Sequence, residues 1–438
     1  MILKQNVSII ITMSILNTFN VVRFEKKLRN GIKVVLFYRP GSPITTHAVL
    51  NSGSRFDPVG MFGVAHFLEH LVVGGSAEFP TKDLLAEHIE SIGGSFGART
   101  GQDSLIIATE VPDKSDYGRV VDIFKATLCE PLIDKKFFEN EKKVVVKEVN
   151  RSNSNPAQVL IKTCRDLFFK GTSFSHEVLG DAESIQELDY EKVVAIHKRM
   201  FDKTRITFIV SGDISIEELV LNLEKLNFLE GNDFFEKSYE PKVIYEKRIS
   251  SSPLDIPQTY ICFGIPAPKL FSKELVHLNL AGDILAGGRS SRLTKRLRYD
   301  KGLVYGVRYG RVGGLELGFW GFFTDTASEN VNDLMSEISE EIKNIRTNGI
   351  KASELEFVKN KNIKSLKRTM QTSNSWVDFH NLSEAFSSEP YDIDNFAKYI
   401  EEATVEDIEN IINKYFQTNN WRLATCGKTE EESVIYKI

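Results

Sequence analysis

The chain has little cysteine and little histidine, 4 and 8 residues among 438. Cys129, Cys164, Cys262 and Cys426 stand far apart and form no C-x-x-C pair. That excludes a disulfide framework and a cysteine-based zinc site, and leaves packed, reduced thiols of a reducing compartment. A long apolar run is also lacking. The run from Val7 to Leu16 is too short to span a bilayer, so no stable membrane insertion is expected. Lys4 ahead of it gives the look of a weak signal core, but Asn17-Thr18-Phe19-Asn20 offers no small-x-small cleavage site. Residues 1–20 therefore read as an N-terminal extension, disordered or lying upstream of a start at Met13. The expected location is cytoplasmic, with export the alternative if the extension acts as a signal. An arginine-rich transit peptide is absent, which argues against a mitochondrial presequence peptidase. Nor does one sign of charge dominate: 55 basic against 60 acidic residues leave a net charge of −5, so nucleic acid is not expected as a partner.

What is present is an ordinary globular composition, 42% hydrophobic and 26% charged, in a chain too long for one core. At least two domains are expected. The most informative stretch is Gly63-Val64-Ala65-His66-Phe67-Leu68-Glu69-His70-Leu71-Val72-Val73. As a helix it places His66 and His70, at i and i+4, on one face, with Glu69 at its border. Phe67, Leu68, Leu71 and Val72 then point into a core. Two neutral imidazoles at this spacing can hold one Zn²⁺, and a carboxylate beside them can take a proton from water that the ion activates. Histidine is so scarce that H-x-x-E-H would arise by chance in about one such chain in a hundred, which favours a metal site over satisfied core histidines.

The flanking pattern places this helix. Val21–Lys27 and Gly31–Tyr38 read as strands around the turn Arg29-Asn30-Gly31, and Thr46–Asn51 as another. Residues from Thr81 to Ile92 form an amphipathic helix with Thr81 as its cap, ended by Gly93-Gly94. Ser95–Ala98 and Leu105–Val111 pair as strands. Ser115–Leu128 and Lys135–Arg151 are helices, the second carrying Glu141 and Glu148 two turns apart on one face. A zinc site with two histidines needs a further protein ligand, although either glutamate taken alone reads as a solvated surface charge.

The second half repeats the first in outline. Tyr190–Phe201 followed by Ile206–Gly212 matches Val405–Phe416 followed by Trp421–Gly427: a helix, an aromatic at its end, a short turn and a strand closing on glycine. Gln258–Gly264 answers the strand Thr46–Asn51, and Val276–Leu285 answers the histidine helix. Leu317–Thr324 answers Leu105–Val111, and Ala352–Met370 answers the Glu148 helix. The expected fold class is α+β: two duplicated α/β-sandwich domains, each an antiparallel-rich sheet with helices packed on it. The expected divisions are 21–228, a charged linker 229–248, and 249–438. The second copy has a single histidine, His277, on the matching helix, which reads as structural.

The stretch Val64–His70, with Glu-Lys-Lys-Val-Val-Val-Lys-Glu-Val from Glu141 onward, resembles the pitrilysin-type (M16, inverzincin) zinc metallopeptidases. It is most similar to the branch of the mitochondrial processing peptidase β subunit and its bacterial homologues. The resemblance runs over nearly all of the chain from Val21, His176–Ile185 included. It implies that His66, His70 and Glu148 bind Zn²⁺, that Glu69 is the catalytic base, and that Glu141 supports the site from behind. The run Gly287-Gly288-Arg289-Ser290-Ser291-Arg292 and onward resembles a motif whose Arg and Tyr, seven apart, reach the zinc site. These would be Arg298 and Tyr305, donors to a substrate carbonyl as it becomes an oxyanion. Arg289, Arg292, Lys295 and Arg296 read as a solvated face able to attract acidic peptides.

Two departures stand out. Relatives often carry Asn-Ala-x-Thr after the glycine pair, the Asn holding substrate; here Gly97 replaces it, beside Ala98 and Thr100. Peptide binding by strand addition would fall to the backbone of these residues. Val72-Val73-Gly74-Gly75 also lacks the usual Phe-Lys-Gly, which bears on specificity. The expected function is a zinc-dependent endopeptidase acting on unstructured peptides, working as a homodimer. The alternative is a non-catalytic paralogue serving as scaffold or partner subunit.

Overall fold

The computed structural model describes residues 19–228 and 243–429. Nearly all of the expected N-terminal extension and most of the expected linker lie outside these residues. The chain divides into two compact units.

The first unit is built on six strands: β1 (Val22–Lys27), β2 (Lys33–Tyr38), β3 (Ile44–Leu50), β4 (Ser95–Thr100), β5 (Leu105–Val111) and β6 (Ile206–Gly212). Their order across the sheet is β1-β2-β6-β3-β5-β4, with β2 and β6 parallel and the other neighbours antiparallel. Gly31, at φ 91°, lets the chain turn between β1 and β2. One face of the sheet is covered by α1 (Val64–Val72), α2 (Lys82–Glu90), α3 (Tyr117–Phe124) and α4 (Lys135–Asn153). Val34, Leu36, Ala48, Leu50, Ile107, Phe208 and Val210 meet Phe67, Leu68, Leu71, Phe124 and Phe138 there. Thr81 caps α2 by accepting from the Leu84 N–H at 3.4 Å, as its sequence position leads one to expect. The helix expected over Ser115–Leu128 is interrupted: after Phe124 the chain takes a π-helical turn over Lys125–Cys129.

The second unit has five strands: β7 (Ile249–Pro253), β8 (Gln258–Pro266), β9 (Val307–Gly313), β10 (Gly318–Ala327) and β11 (Arg422–Gly427), ordered β7-β11-β8-β10-β9. This is the order β2-β6-β3-β5-β4 again, and the parallel pair, β7 with β11, recurs in the same place. The architecture is thus α+β and duplicated, as expected.

The contiguous halves expected from the sequence are not the compact units. Among the described residues, 366–395 belong with the first sheet and 150–176 with the second. The reason lies in which faces are apolar. Every residue of β3 and β6 is buried, so both faces of the first sheet need a cover. The helix Ser373–Phe386 supplies one: the His380 ring stacks 4.3 Å from that of Phe37, and Arg23 and Lys33 pair with the buried Glu384 at 2.7 and 3.0 Å. In the second unit α5 (Pro156–Phe168) buries Leu160, Cys164, Leu167 and Phe168 against Cys262, Phe319 and Cys426, with Phe168 and Phe319 stacked at 4.6 Å. Each exchanged helix directly follows a long one, α4 or Ala352–Thr369, so the exchange occurs at the same place in both repeats.

Candidate metal centre

Helix α1 is fixed at its start by one carboxylate and at its back by the core. Asp57 accepts from the N–H groups of Gly63 and Ala65 at 2.7 and 3.0 Å, which satisfies two of the helix's free donors. Gly63 has φ 90°, and a side chain there would meet the Leu179 carbonyl oxygen at 2.6 Å, so the helix end packs backbone to backbone on Leu179-Gly180. Val64, Ala65, Phe67, Leu68, Leu71 and Val72 are wholly buried. The Phe67 ring meets Phe138 of α4 edge-on at 5.1 Å. Phe138, Val145 and Val149 form the buried face of α4.

This packing brings the expected ligands together. One ligand atom each from His66, His70 and Glu148 lies within 4.8 Å of the others, and no other cluster suited to a metal occurs among the described residues. Glu148 Oε2 is 3.9 Å from His66 Nε2 and 3.5 Å from His70 Nε2. Glu141 stands behind: its Oε2 is 3.0 Å from His70 Nδ1. An ionised carboxylate only accepts, so Nδ1 carries the proton and Nε2 keeps its lone pair toward Glu148. Burial opposes charge on His70, but the hydrogen bond and charge of Glu141, aided by Glu69 and Glu148, raise its pKa above the usual value. His66 is different. Burial first, and the neighbouring His70, push its pKa down to about 3, so its imidazole is neutral. Its Nδ1 is buried with no hydrogen-bond partner among the described residues, so it lacks the support that Glu141 gives His70. Two imidazole nitrogens and a carboxylate, turned toward one another, fit Zn²⁺ by donor type and number.

Glu69 lies at the edge of this cluster. Burial raises its pKa, opposed by a hydrogen bond from Thr100 and the charge of His70. Thr100 Oγ1 donates to Glu69 Oε2 at 2.5 Å. Thr100, expected among the substrate-holding residues, thus commits its hydroxyl to the proposed base. Sequence spacing held no sign of this, because 31 residues separate the two. Thr100→Val is expected to lower kcat about tenfold while zinc content stays unchanged, because the carboxylate loses its orientation rather than its neighbours. An unchanged kcat would show that Glu69 needs no such support. Asp57 also went unrecognised in the sequence, where it reads as a loop residue. Gly97 and Ala98 sit on β4, whose outer side is unpaired in the sheet order, and a side chain at Gly97 would meet nothing within 4 Å.

Arg298 and Tyr305 belong to the second unit. Arg298 is on a π-helical turn over Lys295–Asp300, and its guanidinium lies 4.5 Å from the centroid of the Tyr305 ring. Tyr305 is 82% exposed.

The second unit's own counterpart of the centre is a salt bridge. Gly287-Gly288 closes the helix Lys273–Ala286 as Gly74-Gly75 follows α1. Counted back from these glycines, His70 corresponds to Asp283 and His66 to Asn279, not to His277. Lys361 follows Asp283 by 78 residues, as Glu148 follows His70, and its ammonium is 2.5 Å from Asp283 Oδ1. An ammonium thus links the helix pair that in the first unit brings the expected ligands together. The basic face is only partly free. Arg292 pairs with Glu354 at 2.6 Å, and Arg296 with Glu337 at 2.5 Å and with Glu340.

Two models of one protein family match the chain. Residues 33–182 match the family model described as insulinase (peptidase family M16), and residues 187–362 match the peptidase M16 inactive domain. A Rickettsia bellii protein named as an uncharacterized zinc protease is 25% identical over 334 residues, 75% of this chain and 79% of that one. The crystal structure of a protease from Helicobacter pylori superposes with a TM-score of 0.84 at 16% identity, covering 92% of this chain and 99% of the other. Pitrilysin superposes with a TM-score of 0.76 at 18% identity over 98% of this chain but only 47% of its own. No helix of the described residues is long and apolar enough to cross a membrane.

Proposed function

The chain belongs to the M16 family of zinc peptidases, and from that premise we propose that it is a zinc-dependent endopeptidase cleaving unstructured peptides or short protein segments. The observation that carries this reading is the convergence of His66, His70 and Glu148 within 4.8 Å, with Glu69 beside them. The alternative, a scaffold or partner subunit without activity, has no use for a complete donor set with its base and that base's hydrogen-bond partner in place.

His66, His70 and Glu148 would hold the zinc ion, which when bound supplies a Lewis acid that activates water and polarises the scissile carbonyl. Glu141 keeps His70 in the tautomer that presents Nε2. Glu69 takes a proton from the attacking water and returns it to the leaving nitrogen. Burial acts to make this carboxylate more basic, which favours the first step, taking the water's proton. The unpaired edge of β4 takes the peptide as an added strand through backbone hydrogen bonds, a mode that needs no side chain at Gly97.

The motif resemblance assigns Tyr305 and Arg298 the role of donors to the developing oxyanion. Tyr305→Phe is expected to lower kcat about a hundredfold or more with zinc retained. Unchanged kinetics would remove the second unit from the chemistry.

The chain matches about half of pitrilysin's length, and a two-fold homodimer is the commonest way to supply a second half. Light scattering at micromolar concentration is expected to give twice the chain mass; a fully active monomer would exclude the dimer requirement. The functional reading itself is tested with an internally quenched, unstructured peptide of tens of residues. Internal cleavage seen by mass spectrometry, with a stably folded protein spared, is the expected outcome. No cleavage of any peptide by the zinc-loaded chain would favour the scaffold.

A further inference from the structure

The outermost strand of the first sheet carries a glycine that the fold does not require. Gly97 stands in the middle of β4, where glycine weakens a strand. Its φ lies outside the left-handed region, and a side chain there would meet nothing within 4 Å. Gly63 differs, because packing on the Leu179 carbonyl demands its missing side chain. The space at Gly97 is left open by choice of residue and faces solvent.

The neighbours give that space its shape. Gly97 pairs with Ala108 of β5, so the two share one face of the sheet, and Ala108 is only half-buried. Two small residues side by side leave a shallow gap. At one end stands Arg99, next but one along β4 and so on the same face. Its guanidinium is held by Asp378 at 2.7 Å, whose other oxygen accepts from Asn374 at 2.7 Å. At the other end stand Ser95 and its partner Glu110, which accepts from the Thr45 hydroxyl at 2.8 Å. Phe96, Ala98 and Thr100 alternate to the opposite face, where Thr100 meets Glu69.

The backbone decides what an added strand does here. The Gly101 N–H donates to the Ser104 carbonyl at 2.8 Å, in register with the Gly97–Ala108 pair. The backbone groups of Gly97 are therefore turned to β5, and those of Phe96, Ala98 and Thr100 to the free edge. A peptide on that edge bonds to these three residues. Its residue beside Gly97 forms a pair without hydrogen bonds, the kind in which antiparallel strands bring side chains closest. The side chain of that residue projects over the gap. An aromatic ring suits it, since an aromatic on the neighbouring strand covers the bare backbone of a glycine. The ring face can also take the positive charge of the fixed Arg99 guanidinium.

We propose that Gly97 selects peptides with an aromatic residue, whose ring lies over Gly97 and Ala108 beside Arg99. This selection rests on the strand addition at β4 proposed above, and it does not need the peptide bond to be cut.

Calorimetric titration of the zinc-loaded Glu69→Gln chain, in which bound peptides stay whole, compares three unlabelled peptides. They are rich in Ser and Gln and differ only at the central residue: Phe, Leu or Ala. The Phe peptide is expected to bind about tenfold more tightly than the Ala peptide, and more tightly than the Leu peptide. Gly97→Val, added to the same chain, fills the gap with a residue that suits a strand. The Phe-to-Ala ratio should then fall to about one, with circular dichroism and zinc content unchanged. Equal binding of the Phe and Leu peptides, no binding of any peptide, or a Phe preference that survives Gly97→Val would overturn the proposal. Cleavage of the same peptides by the parent chain, followed by mass spectrometry, decides the catalytic reading separately. Cleavage without the Phe preference would keep the endopeptidase and remove this subsite. A Phe preference in binding with no cleavage would keep the subsite and remove the endopeptidase.

Discussion

Glu69→Gln is expected to leave the chain with about one zinc ion and almost no hydrolysis. The substitution keeps the shape of the side chain and can still accept a hydrogen bond from Thr100. What it removes is the capacity to take a proton. General acid–base catalysis contributes about 10²–10⁴-fold, and Glu69 is the only residue assigned to both proton transfers, so the loss should reach or exceed the upper end. Glu69 is not among the three clustered ligand residues. If the Gln variant lost zinc as well, Glu69 would be holding the ion rather than acting as base.

His70→Ala and Glu148→Ala should behave in the opposite way, losing zinc and activity together. Each removes one of three donors, and zinc sites of this kind do not survive on two. Glu141→Gln lies between these cases. It weakens the acceptor on His70 Nδ1, at 3.0 Å, without touching a ligand atom. Zinc affinity should fall about ten- to a hundredfold, as for other groups that orient a ligating histidine. Competition with a chelator of known affinity ranks the three variants. A Glu148→Ala protein that still held zinc like the parent would exclude Glu148 as a ligand.

Much of this centre was legible because its chemistry is local. His66, Glu69 and His70 share one helix, and the i, i+4 spacing can be read without a fold. Glu148 was legible only through resemblance, since nothing in its own surroundings separates it from a solvated glutamate until α1 and α4 pack through Phe67 and Phe138. The duplication is legible in the matched helix, turn and strand segments closing on glycine, whereas the strand order of the sheets is not. Nor is the helix exchange. Periodicity marks Leu160, Cys164, Leu167 and Phe168 as one apolar face but not which sheet that face covers, and the same holds for the helix Ser373–Phe386. The Thr100–Glu69 bond and the replacement of the His70–Glu148 pair by Asp283–Lys361 are likewise long-range facts. The second has a trace in the sequence, the equal spacing of 78 residues, while the one histidine of that helix, His277, lies off the His66 position that Asn279 takes.

Metal removal and return tests the account most directly. The purified chain is stripped of metal with a chelator, and zinc is added back in known amounts while cleavage of a quenched peptide is followed. Activity should be absent from the stripped chain and rise in proportion to zinc, levelling off at about one ion per chain, while the His70→Ala variant stays silent throughout. Full activity in the stripped chain, or a restored rate in His70→Ala at the same zinc level, would contradict it.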